Sequence, residues 1–472
     1  MRESKLYYLD LFKVSEEGLR QLTAAALSKG GDYADLYFEH TTYFNLNLKD
    51  SVVSSGGYHT DYGVGIRVLK GERTGYAYSE NLEMAEMLKA AKAASAIARA
   101  EGHSLRYCTT VDKGLDLYPM KTSWREVEAS VFLPFLTSLE SKVRAKDTRI
   151  VKVLARLSDS VCDVLMFNSA DELTYDTRPM GSLSVTAVFM QNGVTENKSV
   201  SRSFRIGAEL ISEGLADEIA AEVVKGIDER FEAIRPKGGQ MSVVMGAGAS
   251  GILLHEAMGH SFEADFNRKG QSIFSDRLGS QVCPKGINVV DDGTLAGNRG
   301  AGNYDDEGVS GEKTYMIEDG VLKSFLHDRV SAAWYGVRPT GNGRRENFRY
   351  NPVPRMRATY MESGNAEPEG IIASVKNGIY VDEFSNGQVK IGEGDFTFFV
   401  KNGYLIENGV LTAPVKDINI IGNGPQALSD IVAVGNDLRI DNGTWTCGKE
   451  QSVAVSCGMP TVLVNRLTVG GE

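Results

Sequence analysis

Apolar residues recur at helical spacing over residues 15–29, with Leu19, Leu22, Ala26 and Leu27 on one side, and the run stops at Gly30-Gly31. The pattern then becomes alternation. Residues 33–47 (YADLYFEHTTYFNLN) put apolar and polar side chains on opposite faces, as a strand does, and residues 62–68 and 75–78 read as two more strands. Asn81 is placed to cap an alanine-rich helix that runs to Ala100 and ends at Gly102, and residues 103–122 read as a linker. A second unit opens with a helix over 124–145, interrupted or kinked at Pro134. Strand-like runs follow at 149–158, 164–168 and 183–191, with a turn at Asn192-Gly193. Another helix, over 212–230, leads into RPKGG at 235–239, the clearest boundary in the chain. Beyond it, Asp319-Gly320 and Asn-Gly pairs at Asn386, Asn402, Asn408 and Asn442 punctuate β-rich runs such as 397–400, 418–421 and 461–464.

These elements predict an α+β protein. Its N-terminal half is α/β, with mixed sheet and helices over residues 1–115 and 116–236, and a β-rich antiparallel domain follows over 237–472. Length agrees, since 472 residues suggest roughly three domains. With 42% apolar and 24% charged residues the composition is that of an ordinary globular protein. The net charge of −11 argues against nucleic-acid binding, which draws its affinity from basic groups on phosphates. No run of apolar residues reaches the length of a membrane span. Glu3, Lys5 and Asp10 interrupt the N-terminal stretch where a signal peptide needs apolar residues, so a cytoplasmic protein is expected. The five cysteines form no CxxC pair and are odd in number, which suits reduced thiols better than a disulfide framework.

Candidate chemistry concentrates in residues 241–267, MSVVMGAGASGILLHEAMGHSFEADFN. A strand-like SVVMG passes through small residues into ILLHEAMGH, a helix with an apolar side. His255 and Glu256 are adjacent, and His260 follows His255 by five positions. Zinc-protease helices set their histidines four apart, which brings both nearly onto one face. Five steps of a regular α-helix leave the rings about 140° apart. Both rings face one ion only if the helix carries a one-residue π-bulge or ends between them. Gly259 eases such a distortion. Spacing alone is equally explained by a core histidine beside a helix-cap glutamate.

The string HEAMGHSFEADFNRKG at 255–270 resembles the signature of the TldD branch of the TldD/PmbA family of bacterial and archaeal metallopeptidases. Similar pieces span nearly the whole chain in the family's order. They are GGDYADLYFE at 30–39, GVGIRVLKGERTGYAY at 63–78, VVDDGTLAGNRG at 289–300, DDEG at 305–308, PTGNGRRE at 339–346, VGNDLRIDNG at 434–443, CGKE at 447–450 and the terminal LTVGG. The PmbA (TldE) branch lacks His-Glu-x-x-x-His, so the chain resembles the catalytic member. The resemblance implies Zn2+ held by His255, His260 and Cys447, with Glu256 as general base. It also implies hydrolysis of peptide bonds in unstructured polypeptides, and a dimer, formed with a PmbA/TldE-like subunit or with a second copy. Two imidazoles and a thiolate are a sound zinc set that leaves a fourth position open. The chain departs from the family in reading CGKEQ where CGKEGQ is usual, and Cys457 stands nearby as a competing thiol.

Asp305, Asp306 and Glu307 are expected in a solvated loop near a sheet edge rather than around a cation, and His327, after LKSFL, reads as structural. Arg344, Arg345, Arg349, Arg355 and Arg357 form a basic island that suits a peptide carboxylate or a partner subunit, and equally suits neutralising nearby acids. The rival class is a non-catalytic metal-binding regulatory protein, since members of the family were once labelled modulators of DNA gyrase. Glu256 separates the two readings, because a closed structural site has no use for a carboxylate beside its ligand.

Overall fold

The computed structural model describes residues 3–96, 105–108 and 113–471, with the backbone alone at 385 and 386. The chain is α+β. Helices α1 (Lys5–Leu11) and α2 (Glu16–Leu27) precede the long hairpin of β1 (Tyr33–Lys49) and β2 (Val52–Lys70), followed by β3 (Arg73–Ser79) and α3 (Met84–Ala94). After α4 (Ala129–Arg144) come β4 (Ile150–Asn168), β5 (Leu173–Gln191), β6 (Val194–Phe204), α5 (Glu213–Glu222) and α6 (Ile227–Glu232). The six strands make one sheet, ordered β3-β2-β1-β4-β5-β6, with every neighbour antiparallel. The boundary expected at 115 therefore falls between strands of a single sheet.

Several elements differ from the sequence expectation for local reasons. Asn81 does not cap α3. Its side chain accepts the Glu83 N–H two residues on (2.9 Å), and Glu83 takes the cap position. The expected end of that helix, at 100–102, lies outside the described residues. The runs at 149–158 and 164–168 are one strand, because β1 and β5 supply ladder partners on both sides from Leu154 to Phe167, across the interruption. The polar interruption is satisfied there: the buried Asp163 is taken by Arg125 (2.7 Å) and by the Thr177 hydroxyl (2.6 Å). The helix expected over 212–230 starts as read, with Ser212 accepting the Leu215 N–H, but ends at Glu222, and a turn closing at Gly226, whose φ of 75° suits glycine, leads into α6. Asn386 and Asn402 sit within strands rather than turns. Gly403 serves there to let its backbone approach the Tyr380 carbonyl; a Cβ would lie 2.4 Å from that oxygen.

The C-terminal half begins with β7 (Gly239–Met245) and α7 (Gly251–Leu254), which continues as a π-helical turn (His255–Gly259) and a 3-10 turn (His260–Phe262) into α8 (Ala264–Arg268). Next come β8 (Val289–Asp292), β9 (Lys313–Glu318), β10 (Val321–Leu322), α9 (Arg329–Tyr335), β11 (Gly343–Arg344), β12 (Val353–Pro354), β13 (Ala358–Met361) and α10 (Pro368–Ala373). They lead to β14 (Asn377–Val389), β15 (Asp395–Glu407), β16 (Val410–Val415), β17 (Ile418–Asn423), α11 (Gly424–Ser429) and β18 (Ile431–Val434). The chain finishes with β19 (Arg439–Ile440), β20 (Thr446–Lys449), β21 (Gln451–Ala454), β22 (Ser456–Met459) and β23 (Val462–Gly470). Pairing runs β14–β7–β23–β17–β15 and back to β14, so these strands close into a barrel. Closure removes the exposed edges that an open sheet would present.

The barrel is filled by side chains such as Val243, Ile379, Val381, Phe398 and Ile420, all without solvent exposure. Each contributes about 1.5–3 kcal/mol by burial. Leu253, Leu254, Ala257 and Met258, from the helix that carries the histidines, join the same core. A second sheet, ordered β10-β9-β8-β13-β22-β19, lies under α7, and the approach is tight: a Cβ on Gly251 would stand 2.5 Å from the Gly458 amide nitrogen. Among the described residues no helix is long and apolar enough to cross a membrane.

Residues 305–307 form no solvated loop. Asp305, Asp306 and Glu307 are 0%, 7% and 4% exposed, because arginines of the first sheet cover them. Arg178 on β5 reaches Asp306 (2.5 Å), and Arg67 on β2 bridges Glu307 (2.6 Å) and Asp35 (2.5 Å). Asp305 accepts the Glu307, Val309 and Gly343 amides, each at 2.9 Å. The acids are a seam between the two halves. Buried pairs of this kind are costly to break, since removing one partner strands a charge without water.

Candidate metal centre

The helix that follows β7 carries both histidines, and its irregular turn decides where they point. The His260 N–H donates to the His255 carbonyl, five residues back, and this π-helical bond stacks residue 260 over residue 255. The angular offset of a regular helix is thereby removed. The two rings stand 5.2 Å apart between centroids at 82°. Gly259 contributes space rather than unusual backbone: its φ is an ordinary −54°, but a Cβ there would lie 2.0 Å from the Met356 sulfur.

Cys447 arrives from the hairpin of β20 and β21. Its Sγ lies 3.1 Å from His255 Nε2 and 3.3 Å from His260 Nε2. The three donor atoms fall within 4.8 Å of one another, and all three residues are buried. Cys457 lies elsewhere, on β22 in register with Thr359, and is not part of this group. The hairpin absorbs its missing residue as a tight turn at Glu450, whose φ is 58°, with Lys449 and Gln451 paired across it. Glu256 borders the cluster without joining it. Its carboxylate is 4.0 Å from His260 Nε2, and its side chain is 22% exposed against 7% for His260.

The donor set fits a zinc ion. Tetrahedral ligands at ordinary zinc–nitrogen and zinc–sulfur lengths stand roughly 3.5 Å apart, close to the separations found between sulfur and the imidazoles. Electrostatics prepare the thiolate as well. Burial by itself would raise the Cys447 thiol, but the two imidazoles outweigh it and hold it down at about 4. The thiolate that a metal requires is therefore the favoured form.

Behind the donors lies a buried carboxylate that the sequence reading missed. Glu263 is fully buried, and burial would raise its pKa; Lys449 and His260 overcome that and hold it down at about 2. It accepts from His260 Nδ1 at 3.0 Å, which fixes the ring with Nε2 facing the cluster. Lys449 Nζ lies 3.1 Å from Glu263 and 2.7 Å from Asp265, tying the hairpin to α8. Arg355 donates to the carbonyls of Cys447 (2.6 Å) and Gln451 (2.8 Å), fixing the same hairpin from its other side. Glu263 had one available signal, its position three residues after His260, a spacing that places side chains together on a helical path. Replacing Glu263 by Gln is expected to weaken zinc affinity 10- to 100-fold in a chelator competition, the usual size for such supporting carboxylates. A change below twofold would show that packing alone orients His260.

The other expected groups lie apart from the cluster. His327 is buried against Phe325 and Tyr335, and burial holds its imidazole down at about 4. Arg349 pairs with Asp61 (2.6 Å) and Glu80 (2.8 Å), and Arg345 stacks over the Tyr37 ring at 4.2 Å. Those two members of the basic island are spent on the chain itself.

Comparison with known proteins gives matches along most of the chain. Residues 34–98 match the model for PmbA/TldA metallopeptidase domain 1, residues 123–227 that for the central domain, and residues 238–471 that for the C-terminal domain. The chain is 37% identical over 452 residues to a metalloprotease TldD homolog of Haemophilus influenzae, covering 93% of each. It is 30% identical over 340 residues to a zinc metalloprotease TldD homolog of Saccharolobus solfataricus, covering 71% of this chain and 75% of that one. The crystal structure of TldE from Thermococcus kodakarensis shares the fold, with a TM-score of 0.74 at 18% identity over 96% of this chain and 100% of that one.

Proposed function

The chain belongs to the TldD/PmbA metallopeptidase family, in its TldD branch, and from that premise we propose that it is a zinc-dependent peptidase of unstructured polypeptides. His255, His260 and Cys447 hold the metal in this reading, and Glu256 is the general base. The observation that carries it is the convergence of two imidazoles and a thiolate from opposite ends of the C-terminal half, with a partly exposed carboxylate at their edge. Zinc is favoured by the donor chemistry and by the zinc named for the Saccharolobus relative. When bound, zinc supplies a Lewis acid that makes water acidic near neutral pH. Glu256 takes a proton from the attacking water and returns one to the leaving amine. Glu263 holds the imidazole of His260, and Arg355 with Lys449 holds the hairpin of Cys447, so the donors need no reorganisation as the reaction proceeds.

Burial supports the substrate preference. The three donors are enclosed and only Glu256 reaches solvent to any extent, so an extended chain can thread to them where a folded surface cannot. The matched family domains support the division into 1–115, 116–236 and 237–472. Likeness to a TldE fold supports pairing with a PmbA/TldE-like subunit, with self-pairing as the alternative. The five free cysteines suit a reducing, cytoplasmic setting. Protein purified without chelator should carry one zinc per chain, cleave unfolded casein-like peptides, and lose both on chelation. Zinc retention without cleavage, alone and with a TldE-like partner, would favour the non-catalytic regulatory reading instead.

A further inference from the structure

A cavity of about 240 Å³ lies between the first sheet and strand β21 of the Cys447 hairpin. Arg205, Arg299 and Arg344, like Arg357 on the same lining, form no ion pair among the described residues, and the side-chain hydrogen bonds of all four go to neutral acceptors. Arg205 Nε donates to the Arg299 carbonyl (3.3 Å), and its guanidinium lies over the Tyr118 ring. Arg299 donates to the Trp445 carbonyl (2.9 Å), Ser203 Oγ (2.6 Å) and Thr446 Oγ1 (3.4 Å). Arg344 donates to the carbonyls of Met356 (2.5 Å) and Ala454 (2.8 Å). The acids that share the lining do not answer this charge. Asp306 is committed to Arg178, and Glu346 accepts the Ser452 amide (2.6 Å). Glu39 has Oε1 on the Thr41 hydroxyl (2.9 Å) and Oε2 without a partner, and burial raises its carboxyl to about 7.

Half-buried and buried guanidinium groups that face one another without a counter-ion are unfavourable. Burial and like charge leave their mark: burial, then Arg205, pushes Arg299 down to about 10, and burial, then Arg357, pushes Arg344 well below its ordinary value. An anion supplied from outside relieves both effects, and guanidinium is the group that grips a carboxylate through paired N–H donors. The volume is below the roughly 300–1,000 Å³ of a pocket for a whole small ligand, which suits one end of a longer chain. Thr446, which touches Arg299, immediately precedes Cys447, so an anchored chain is held on the strand that carries a metal ligand.

We propose that Arg205, Arg299 and Arg344 form a carboxylate site that anchors the peptide substrate, through its C-terminus or an acidic side chain. The assignment to a peptide rests on the peptidase reading above. Fluorescence anisotropy on the full chain, with chelator present to prevent cleavage, tests it using one labelled unstructured octapeptide in three forms: free acid, C-terminal amide, and amide with an internal Glu. The free acid or the Glu-containing amide should bind at least tenfold more tightly than the plain amide, and whichever does so identifies the source of the carboxylate. Arg299→Gln and Arg205→Gln should abolish the preference with circular dichroism unchanged, and Arg299→Lys should restore part of it. Equal binding of the three peptides to the wild-type chain overturns the proposal whether or not the variants fold, and so does a preference that persists in folded Gln variants. Cleavage is scored separately. A chain that shows the preference but never cuts fails the peptidase reading alone, and one that cuts all three peptides with equal KM fails this proposal alone.

Discussion

Glu256→Gln is expected to lower peptide hydrolysis at least 10²-fold while zinc content and thermal stability stay at the wild-type level. Glutamine keeps the volume and the hydrogen-bonding reach of the side chain but cannot accept a proton at neutral pH. Glu256 is not one of the three clustered donors, so its replacement leaves the metal set intact. Its side chain is 22% exposed, and the His260 imidazole stands 4.0 Å away, so no close buried ion pair is broken and stability has little to lose. The loss should appear in kcat and in kcat/KM together, as for an interaction made only in the transition state. Turnover near the wild-type value, measured with a TldE-like partner present, would remove Glu256 from the role of base.

The second large effect is expected at the thiols. Cys447→Ser should strip the chain of zinc during dialysis, a loss exceeding the 10- to 100-fold typical of supporting residues. Serine offers no anion at neutral pH, whereas the Cys447 sulfur, between two imidazoles at 3.1 and 3.3 Å, is held as thiolate despite its burial. Cys457→Ser should keep full zinc and cost only the modest stability of a polar group in an apolar site, because Cys457 lies on β22 among core side chains. Zinc per chain, measured by atomic emission after exhaustive dialysis, decides between them. The reverse result would transfer the ligand role to Cys457 and leave the hydrolase reading standing on a different donor.

What the sequence disclosed depended on how far apart the cooperating residues lie. The five-residue spacing of His255 and His260 demanded a π-bulge or a helix end on geometric grounds alone, and the chain supplies both a π-helical turn and a change to 3-10 winding at His260. Alternation over 33–47 disclosed β1 because one face of that strand packs on helices and the pattern is local. Nothing local announced that Asp306 and Glu307 would be buried, since the arginines that pay their desolvation cost are Arg178 and Arg67, more than a hundred residues upstream. Arg355 holding the Cys447 carbonyl was hidden for the same reason. Asn402-Gly403 misled in the opposite direction, its glycine answering to the Tyr380 carbonyl across the ladder rather than to a turn. That Cys447 of CGKE joins the two histidines was legible only through family likeness, because 187 residues separate it from His260.

The closed barrel also sets when the centre comes into being. Its first strand, β7, is held between β14 and β23, so the ladder that completes the ring waits for residues 462–470. Contacts this distant along the chain make folding slow, and they do not form while the C-terminal segment is still inside the ribosome. The hairpin with Cys447 emerges only shortly before that closing strand. During synthesis the histidine helix is thus present without its third donor and without the barrel that supports it. The two histidines and Cys447 are thus brought together only once the last strand of the ring is in place.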